Sequence, residues 1–398
     1  MTDTAHGVDV VGSSSAQAPI DRPHIGIIGG GQLARMLVQA GASLDLQFSV
    51  LAGQGDRSLE GLVTDVEIAT SYDLATIERF GKRCDVVTFE HELVEPEVLS
   101  EAASRGVEFA PSATTMEITS NKANQRRFLQ AHQLPTPPFH LADSLESIHG
   151  GIERFGFPVC IKTARGGFDG RGVFRVDSRE DLTSIEDALA TPQRWVVEPY
   201  LNLSHEFAVI TVRGADGSIE LYEPLATRQE LGMCAEVVWP ASIPPTIGDQ
   251  AKAIATTIAQ ETGSIGAQAV EFFVANDVLY VNELAPRVHN SGHLTIEAAA
   301  TSQFENHLRA IARLPLGSTQ MLSPAAMVNI IGRTETQRYD RSHVLAHPRA
   351  RVHLYHKVPR ARRKVGHVTV LDQNPLHALR LAREAAADAL RDTTTESE

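Results

Sequence analysis

The stretch VEFFVANDVLYVNELAPRVHNSGH (Val270–His293) contains two short apolar runs separated by Ala275–Asp277. Asparagine and aspartate between two such runs predict a β-hairpin. If its turn centres on residue 277, Glu271 and Glu283 stand opposite each other, with Cβ atoms roughly 4.5–5.5 Å apart. Carboxylates this close repel unless a cation lies between them, and Mg²⁺ prefers oxygen ligands. The hairpin therefore predicts a metal site, against the alternative of two solvated surface acids.

The segment that follows the hairpin, Ala285–His293 (APRVHNSGH), is dense in hydrogen-bond donors. Arg287, His289 and Asn290 come directly after the predicted metal hairpin, which suits the binding of a small anionic substrate. The alternative is a loop stabilised by its own hydrogen bonds. The spacing of His289 and His293 also fits a zinc site, but neither a third ligand nor a helical setting supports that reading.

A glycine-rich segment, Gly166–Gly172 (GGFDGRG), follows the predicted strand Val159–Thr163. So many glycines predict a mobile segment whose backbone N–H groups can bind an anion. The segment lacks the G-K-[ST] ending of a Walker A loop. Lys162, near the end of the strand, is placed to hold nucleotide phosphates as a point charge. The sequence thus predicts a flap that covers a bound nucleotide. The alternative is a flexible hairpin tip.

Two further segments offer charged groups to a nucleotide. Glu198 and Glu206 bracket a proline-containing segment typical of an interdomain hinge, which makes a carboxylate available for a ribose hydroxyl. Arg360–His367 (RARRKVGH) is a basic cluster in an acidic protein. It predicts either a phosphate clamp or an ordinary solvated basic face.

A glycine turn near the N-terminus, Gly29–Ala34 (GGGQLA), lies between the predicted strand His24–Ile28 and the predicted helix Gln32–Gly41. Such a turn binds phosphate because the glycines admit it closely and the helix N-terminus supplies amide donors. A dinucleotide site also needs an acid at the end of the second strand, and Val50–Gly53 (VLAG) supplies none. The turn is therefore predicted to bind the phosphate of some other ligand rather than a nicotinamide or flavin dinucleotide. A third interpretation is a turn with a purely structural role.

The composition limits the classes of protein. With 398 residues the chain is long enough for two or three domains, and its net charge of −13 disfavours non-specific DNA binding. Hydrophobic residues make up 42%, and these totals exclude disorder, collagen and a disulfide scaffold. The cysteines lie far apart, which argues against a zinc site and for a reducing compartment. Because no apolar run approaches the roughly 20 residues of a membrane span, we expect a cytoplasmic protein.

The alternation of strands and helices in the first part of the chain predicts a parallel sheet covered on both faces. We expect this α/β domain over residues 24–120, a second domain over 121–316 and a C-terminal domain over 317–390. Residues 1–23 lack a basic start and a long apolar core, so they predict a disordered tail rather than a signal peptide. Residues 391–398 are expected to form a second tail.

Four motifs occur along the chain in this order: GGGQLARM (29–36), GGFDGRG (166–172), NELAPRVHNSGH (282–293) and RKVGH (363–367). Together they resemble the ATP-grasp superfamily and, within it, the family of 5-(carboxyamino)imidazole ribonucleotide synthases, ATP-dependent ligases of purine biosynthesis. The resemblance covers about residues 24–372. It implies an α/β and α+β architecture, in which an ATP-grasp fold is preceded by a small parallel-sheet domain and followed by a short β-rich domain.

The resemblance also implies a set of site residues. ATP would lie between two antiparallel sheets and contact Lys122, Lys162, Gly166, Gly167, Phe168, Asp169, Gly170, Arg171, Gly172, Glu198, Glu206, Asn282 and Glu283. Glu271 and Glu283 would bind Mg²⁺, or Mn²⁺ in its place. The ribonucleotide would contact Gly31, Gln32, Leu33, Glu90, Lys357, Arg363 and Lys364. The catalytic residues would be Asp169, Arg171, Arg287, His289 and Asn290.

The reaction that the resemblance implies depends on ATP and bicarbonate. Bicarbonate attacks the γ-phosphate of ATP to give carboxyphosphate and ADP. Carboxyphosphate, or CO₂ released from it, then carboxylates the amine of 5-aminoimidazole ribonucleotide. The expected partners are these small molecules, without nucleic acid or membrane, and the family implies a homodimer. Two positions depart from the family: Phe168 replaces a common tyrosine, and Pro224–Glu230 lacks a frequent Asn-x-His pattern.

Three other functions stay open from the sequence. Another ATP-grasp ligase, such as formate-dependent glycinamide ribonucleotide transformylase or a biotin carboxylase, would share the ATP-binding body but not the NSGH and RKVGH motifs. A nicotinamide-dependent oxidoreductase would use the first glycine turn and give no role to Lys162 or Glu283. A non-catalytic nucleotide sensor would not need two metal-binding acids.

Overall fold

The computed structural model of the chain describes residues 22–167, 172–191 and 193–392. Phe168, Asp169, Gly170 and Arg171 of the predicted flap lie outside the described residues, as do residues 1–21 and 393–398 of the predicted tails. No helix in the described part of the chain is long and apolar enough to cross a membrane.

The N-terminal part alternates strands with helices, as its sequence pattern predicts. Its elements are β1 (His24–Ile28), α1 (Gln32–Gly41), β2 (Gln47–Gly53), β3 (Val66–Ala69), α2 (Leu74–Gly81), β4 (Val86–Phe89), α3 (Pro96–Ser104) and α4 (Ala113–Thr119). The strands form a parallel sheet in the order β3-β2-β1-β4. The strand order reverses between β1 and β4, and the carboxyl ends of strands at such a point form a crevice in which ligands bind.

Side-chain caps explain where two helices of this part begin. Asp73 before α2 and Ser112 before α4 accept hydrogen bonds from backbone N–H groups of the first turn. Helix α1 begins after Gly31, which has no side chain to cap it. Its first N–H groups therefore need an acceptor from elsewhere in the chain.

The middle part contains the two antiparallel sheets that the resemblance implies. The smaller sheet has the order β5-β8-β6-β7, and its region consists of α5 (Lys122–Ala131), β5 (His140–Ala142), α6 (Leu145–Phe155), β6 (Val159–Thr163), β7 (Val173–Val176), α7 (Arg179–Leu189) and β8 (Trp195–Pro199). The remainder consists of β9 (His205–Arg213), β10 (Ile219–Leu221), β11 (Leu225–Glu230), β12 (Met233–Trp239), α8 (Pro245–Thr262), β13 (Gly266–Ala275), β14 (Val278–Ala285), α9 (Thr295–Ala298) and α10 (Gln303–Ile311).

The C-terminal part extends the larger sheet. Its elements are β15 (Ala325–Gly332), β16 (Gln337–Tyr339), α11 (Arg341–Leu345), β17 (Ala350–Leu354), β18 (Arg363–Leu371), α12 (Pro375–Ala387) and β19 (Leu390–Asp392). The larger sheet runs β14-β13-β9-β11-β12-β15-β18-β17, with β10 paired to β9. Arg391 and Asp392, which the sequence analysis assigns to a tail, belong to β19 and pair with β16. The backbone of this segment is thus bound into a sheet, which corrects that boundary.

The β13–β14 hairpin brings Glu271 and Glu283 into register, as predicted, but by a different route. The turn has two residues, Asn276 and Asp277, which both have positive φ angles, of 50° and 60°. Such a turn alone would place Glu271 opposite Asn282. A β-bulge shifts the register by one residue, so that Glu271 pairs with Glu283.

The three parts of the chain share a buried core. One hydrophobic cluster includes Leu37 of α1, Val212 of β9, Leu308 of α10 and Met327 of β15. A buried hydrogen bond of 2.8 Å also joins the Thr88 hydroxyl of β4 to Nε2 of His307 in α10. These contacts hold the crevice of the parallel sheet against the cleft between the antiparallel sheets.

Candidate active site

A cavity of about 990 Å³ is lined by strands of both antiparallel sheets and by the loops that follow β1 and β4. The predicted site residues that line it are Gly31, Gln32, Leu33, Glu90, Lys122, Lys162, Gly167, Glu198, Glu206, Glu271, Asn282, Glu283, Arg287, His289, Asn290, Lys357 and Lys364. Gly166, Gly172 and Arg363 are described but do not line it. The predicted nucleotide, metal, bicarbonate and ribonucleotide residues therefore meet in a continuous space.

Glu271 and Glu283 supply the acidic part of the cavity. Burial raises the pKa of Glu271, and the nearby charge of Glu283 raises it further. Burial also opposes ionisation of Glu283, but the Lys122 ammonium outweighs it and lowers the pKa of that carboxyl. The pair thus holds more negative charge than the surrounding protein neutralises, which favours a bound cation.

Lys122 and Asn282 connect the acidic pair to the neighbouring groups. Lys122, the first residue of α5, forms an ion pair with Oε1 of Glu283. Asn282, next to the bulge, donates from Nδ2 to Oε2 of Glu271 over 3.3 Å and accepts from Nζ of Lys162 over 3.5 Å. The bulge therefore places an amide between one acid of the pair and a lysine.

Glu198 holds Lys162 in place. Its Oε1 lies 2.5 Å from Nε of Arg126, and its Oε2 lies 2.7 Å from Nζ of Lys162. Burial opposes ionisation, but Arg126 and Lys162 outweigh it and lower the pKa of Glu198 to about 2. Arg126 also donates to the backbone oxygen of Asn282 over 2.8 Å. Lys162 is therefore fixed in its charged form at the wall of the cavity.

The resemblance implies that Glu198 and the backbone beside it contact the adenine, and for the carboxylate this stays a prediction. That carboxylate is 2% exposed and is occupied by two cations, so it serves to hold Lys162. The backbone that follows it, Pro199–Leu201, lines the cavity and is available for a base edge. Glu206 on β9 also lines the cavity, and burial raises the pKa of its carboxyl. Gln229 of the divergent segment 224–230 reaches the cavity as well.

The base of the glycine-rich segment is closely packed. Gly172 has a φ of +66°, and a Cβ atom there would lie 2.5 Å from Oγ1 of Thr163. Its carbonyl accepts a hydrogen bond of 2.8 Å from the N–H of Thr163. A side chain at this position would collide with β6 and strain the backbone, which accounts for glycine there.

The N-terminal amides of α1, which the sequence analysis offers to a phosphate, are bound by a carboxylate in this structure. Glu90, from the loop after β4, accepts hydrogen bonds from the N–H groups of Gly31 and Leu33, the latter over 3.1 Å. Burial raises the pKa of Glu90, and Lys357 opposes that shift. The helix N-terminus is therefore already paired with an acid, and a substrate phosphate would have to compete for it or bind beside it.

The predicted basic residues of the ribonucleotide part do not all face the cavity. Lys357 donates to the side-chain oxygen of Gln32, and both residues line the cavity together with Lys364. Arg363 donates to the backbone oxygen of Val358 over 3.2 Å and lies outside the lining. The direct phosphate contact predicted for Arg363 is therefore not supported by its position.

Arg287, His289 and Asn290 line the cavity beside the acidic pair. Nε2 of His289 lies 3.6 Å from Oε1 of Glu271, and its Nδ1 lies 2.8 Å from the hydroxyl oxygen of Ser291. The Asn290 and Asn329 side chains exchange two hydrogen bonds, of 3.2 and 2.8 Å. These groups are held in fixed orientations around a space next to the acids.

His293, by contrast, is a core residue. It is fully buried, and its ring lies 4.9 Å from that of His367 between centroids, so the NSGH and RKVGH motifs meet at this pair. Burial lowers the pKa of both imidazoles well below the usual value. No group of three or more His, Cys, Asp or Glu among residues 22–167, 172–191 and 193–392 is placed to hold a metal ion. The zinc reading of His289 and His293 thus has no support in this part of the chain.

Arg126, Tyr72 and His91 belong to the site but were not predicted from the sequence. Arg126 could have been found from its spacing, because it lies one helical turn after Lys122 on the same face. Tyr72 and His91 carry no sequence signal. The N–H of Leu93 donates to Nδ1 of His91 over 3.3 Å, so the imidazole proton lies on Nε2, 3.2 Å from the Tyr72 oxygen. The Tyr72 hydroxyl is then left to donate its own proton, and this residue lines the cavity beside Glu90.

Three family models match consecutive parts of the chain. They are the ribonucleotide synthetase preATP-grasp domain at residues 23–120, the ATP-grasp domain at 127–304, and the phosphoribosylaminoimidazole carboxylase C-terminal domain at 325–380.

Most of the chain is similar to proteins that are named as N5-carboxyaminoimidazole ribonucleotide synthases. It is 36% identical to the N5-carboxyaminoimidazole ribonucleotide synthase of Synechococcus elongatus, over 87% of this chain and 89% of that protein. The crystal structure of the corresponding synthetase from Thermus thermophilus has a TM-score of 0.83 at 34% identity, and the match covers 94% of this chain and all of that one. The Aspergillus clavatus synthase, solved with ADP and 5-aminoimidazole ribonucleotide, has a TM-score of 0.83 at 30% identity, over 92% and 98% of the chains.

Proposed function

The chain belongs to the N5-carboxyaminoimidazole ribonucleotide synthases, ATP-grasp ligases of purine biosynthesis, and we propose from its cavity how it performs their reaction. The activity is the ATP-dependent conversion of 5-aminoimidazole ribonucleotide to its N5-carboxyamino product. The observation that carries the proposal is the opposed pair Glu271 and Glu283, flanked by Lys122 and Lys162. Paired acids beside lysines suit a metal-bound triphosphate.

Lys122 and Lys162 bind the ATP phosphates in this proposal. Each ammonium is 12% exposed at its side chain and is held by a glutamate, so little conformational freedom is lost when a phosphate binds. Adenine lies against the backbone of Pro199–Leu201, and Glu206 accepts from a ribose hydroxyl. We assign the glycine-rich segment 166–172, of which Gly167 lines the cavity, the task of excluding water from the phosphates.

The acidic pair fits Mg²⁺. Its donors are oxygens, it is partly buried, and the pKa of Glu271 is raised by burial and by the charge of Glu283. The ion pair between Lys122 and Glu283 supports the proposal, because it places a positive charge beside this carboxylate. When bound, Mg²⁺ would offset charge that develops on the transferred phosphoryl group. We propose Glu271 and Glu283 as its ligands, and Mn²⁺ as a substitute.

Arg287, His289 and Asn290 bind bicarbonate beside the γ-phosphate. A bicarbonate oxygen forms a bond to the γ-phosphorus while the bond to the β-phosphate oxygen breaks, which gives carboxyphosphate and ADP. The substrate amine then bonds to the carboxyl carbon of carboxyphosphate while the bond from that carbon to the phosphate oxygen breaks. In the alternative route that bond breaks first, and the amine bonds to the CO₂ so released. In both routes the released phosphate takes up the proton that the amine loses. Asp169 and Arg171 act from the flap.

The ribonucleotide binds in the part of the cavity formed by Gly31–Leu33, Glu90, Lys357 and Lys364. We assign Glu90 to accept from the aminoimidazole, and its position where the loops after β1 and β4 meet supports this role. Lys357 and Lys364 supply positive charge for the phosphate. A nicotinamide site at the same turn has no support, because Glu90 occupies the amides that a dinucleotide phosphate would use.

The test of this proposal is the release of ADP by the purified full chain with ATP, Mg²⁺ and bicarbonate, with and without 5-aminoimidazole ribonucleotide. Isotope-labelled bicarbonate would follow carboxylated product in the same samples. We expect ADP release and label incorporation to depend on the ribonucleotide. Formate-dependent turnover of glycinamide ribonucleotide would contradict the assignment. ADP release without incorporation of labelled bicarbonate into product would contradict it as well.

The domain bounds 24–120 and 121–316, a C-terminal domain that begins at residue 317 and includes β19, and the homodimer are part of the same proposal. The molar mass of the protein in solution, measured by light scattering at several concentrations, would test the dimer. A monomer at all concentrations would refute it.

A further inference from the structure

The loop after β4 connects the ribonucleotide part of the cavity to the bicarbonate part. Glu90 in this loop binds the N-terminus of α1, and Glu92, two residues later, binds Arg287 of the segment that follows β14. The loop belongs to the N-terminal domain, whereas Arg287 belongs to the ATP-grasp domain. The contact therefore crosses the boundary between the two.

Glu92 and the backbone of Val288 together hold the plane of the Arg287 guanidinium group. Nη2 of Arg287 donates to Oε2 of Glu92 over 3.1 Å. Oε1 of Glu92 lies 2.9 Å from Nε as an ion-pair contact, but that N–H has no hydrogen-bond partner among the described residues. Nη1 donates to the backbone oxygen of Val288 over 3.2 Å. The Glu92 side chain is 5% exposed and that of Arg287 is 14% exposed, so little water competes for these contacts.

Among the described residues, Glu92 is the carboxylate that forms an ion pair with Arg287, and no second one does. Glu283, on the same strand end, pairs with Lys122, and Glu271 lies beside His289. Without Glu92, the guanidinium would keep only the hydrogen bond from Nη1 to Val288, which does not by itself prevent it from rotating. Its remaining N–H groups would then not stay aimed at one place.

We propose that Glu92 is a positioning residue, which holds Arg287 so that its unoccupied N–H groups face the bicarbonate and the carboxyphosphate formed from it. This inference rests on the proposed function, because it concerns the task given to Arg287. A fixed guanidinium contributes more to the reaction step than to the binding of the anion, since orientation matters most where charge moves.

The test compares Glu92→Gln with the wild-type chain. We expect kcat for label incorporation to fall at least tenfold, while the KM for ATP changes less than twofold. We also expect more ADP released than product formed, because a poorly held carboxyphosphate is lost to water. A purely structural role would lower the amount of folded enzyme and leave the ratio of ADP to product at its wild-type value.

Two further variants make the test specific. Glu108→Gln removes an exposed ion pair of 2.6 Å between the same two parts of the chain, to Arg313, and should behave like the wild type. In an Arg287→Lys background, Glu92→Gln should change kcat less than twofold, because a lysine has no planar group to position. If the full effect persists in that background, Glu92 does not act through Arg287.

The wild-type chain reports on the proposed function, and the variants report on Glu92. If the wild type carboxylates its substrate and Glu92→Gln does so equally well, the inference about Glu92 is wrong and the proposed function stands. If Glu92→Gln does not unfold cooperatively, Glu92→Asp takes its place. It keeps the charge but is one methylene shorter, so we expect a raised ratio of ADP to product, and a wild-type ratio would overturn the inference.

Discussion

Replacing Glu271 with glutamine should stabilise the metal-free protein while it abolishes turnover. Burial and the charge of Glu283 raise the pKa of Glu271 from its ordinary 4.5 to about 7. A carboxyl whose pKa is raised on folding binds more protons in the folded chain than in the unfolded chain at intermediate pH. The free energy of unfolding must therefore fall as the pH rises from about 4.5 to about 7, and stay low above that.

The size of the effect follows from the same shift in pKa. At about 1.4 kcal/mol for each pH unit, ionising Glu271 in the folded chain costs up to about 3 kcal/mol above neutral pH. Glutamine has nearly the same shape and carries no charge, so Glu271→Gln should remove that cost. The gain is an upper limit, because the amide also alters the hydrogen bond from Asn282.

Urea denaturation in the presence of a chelator, at pH 5 and pH 8.5, would measure this effect. We expect the Glu271→Gln variant to unfold at a higher urea concentration than the wild type at pH 8.5, and the difference to be smaller at pH 5. Glu97→Gln, at an exposed position on α3, is the matched control and should show no such difference. A Glu271→Gln variant no more stable than the wild type at pH 8.5 would refute the argument that these acids repel.

Three other substitutions test separate parts of the cavity. Glu283→Gln should abolish ATP turnover without unfolding the chain, because it removes a metal ligand and the partner of Lys122; an active variant with normal Mg²⁺ dependence in a steady-state assay would contradict the metal assignment. Lys364→Ala should raise the KM for the ribonucleotide about tenfold or more, as expected for one charge-assisted contact, and a change confined to the KM for ATP would disprove it. Glu198→Gln leaves Arg126 and Lys162 buried without their shared carboxylate, so urea denaturation should show a free energy of unfolding lower by about 3 kcal/mol or more. The KM for ATP should rise as well, and a variant as stable as the wild type would mean that the network is not needed for folding.

The sequence predicted the elements of the fold well where periodicity is strong. Strand His24–Ile28, helix Gln32–Gly41 and strand Val159–Thr163 have the predicted bounds, because a short apolar run or a helical spacing determines each one locally. The continuation of the larger sheet into the C-terminal part could not be predicted. It depends on pairing between β12 and β15, which are far apart in sequence, and such pairing leaves no local pattern.

The opposition of Glu271 and Glu283 was predicted from the sequence, whereas the ion pairs that join the other charged residues of the site were not. In the structure a two-residue turn and a bulge bring Glu271 opposite Glu283, whereas the prediction reached the same pairing from a turn centred on residue 277. The roles of Glu90 and Glu198 could not be assigned from spacing. Each carboxylate pairs with groups from distant segments, and a sequence does not show which acid a distant cation or helix end will bind.

The pairing of β12 with β15 has a consequence for anyone who wishes to shorten this protein. Truncation at residue 317 removes β15, and the cut would leave β12 as an uncovered border of the sheet with unsatisfied N–H and C=O groups. Asn329, which holds Asn290, would be lost in the same cut. The C-terminal segment is therefore not a detachable appendage, and a fragment that ends before it should self-associate through its exposed backbone instead of retaining a partial activity.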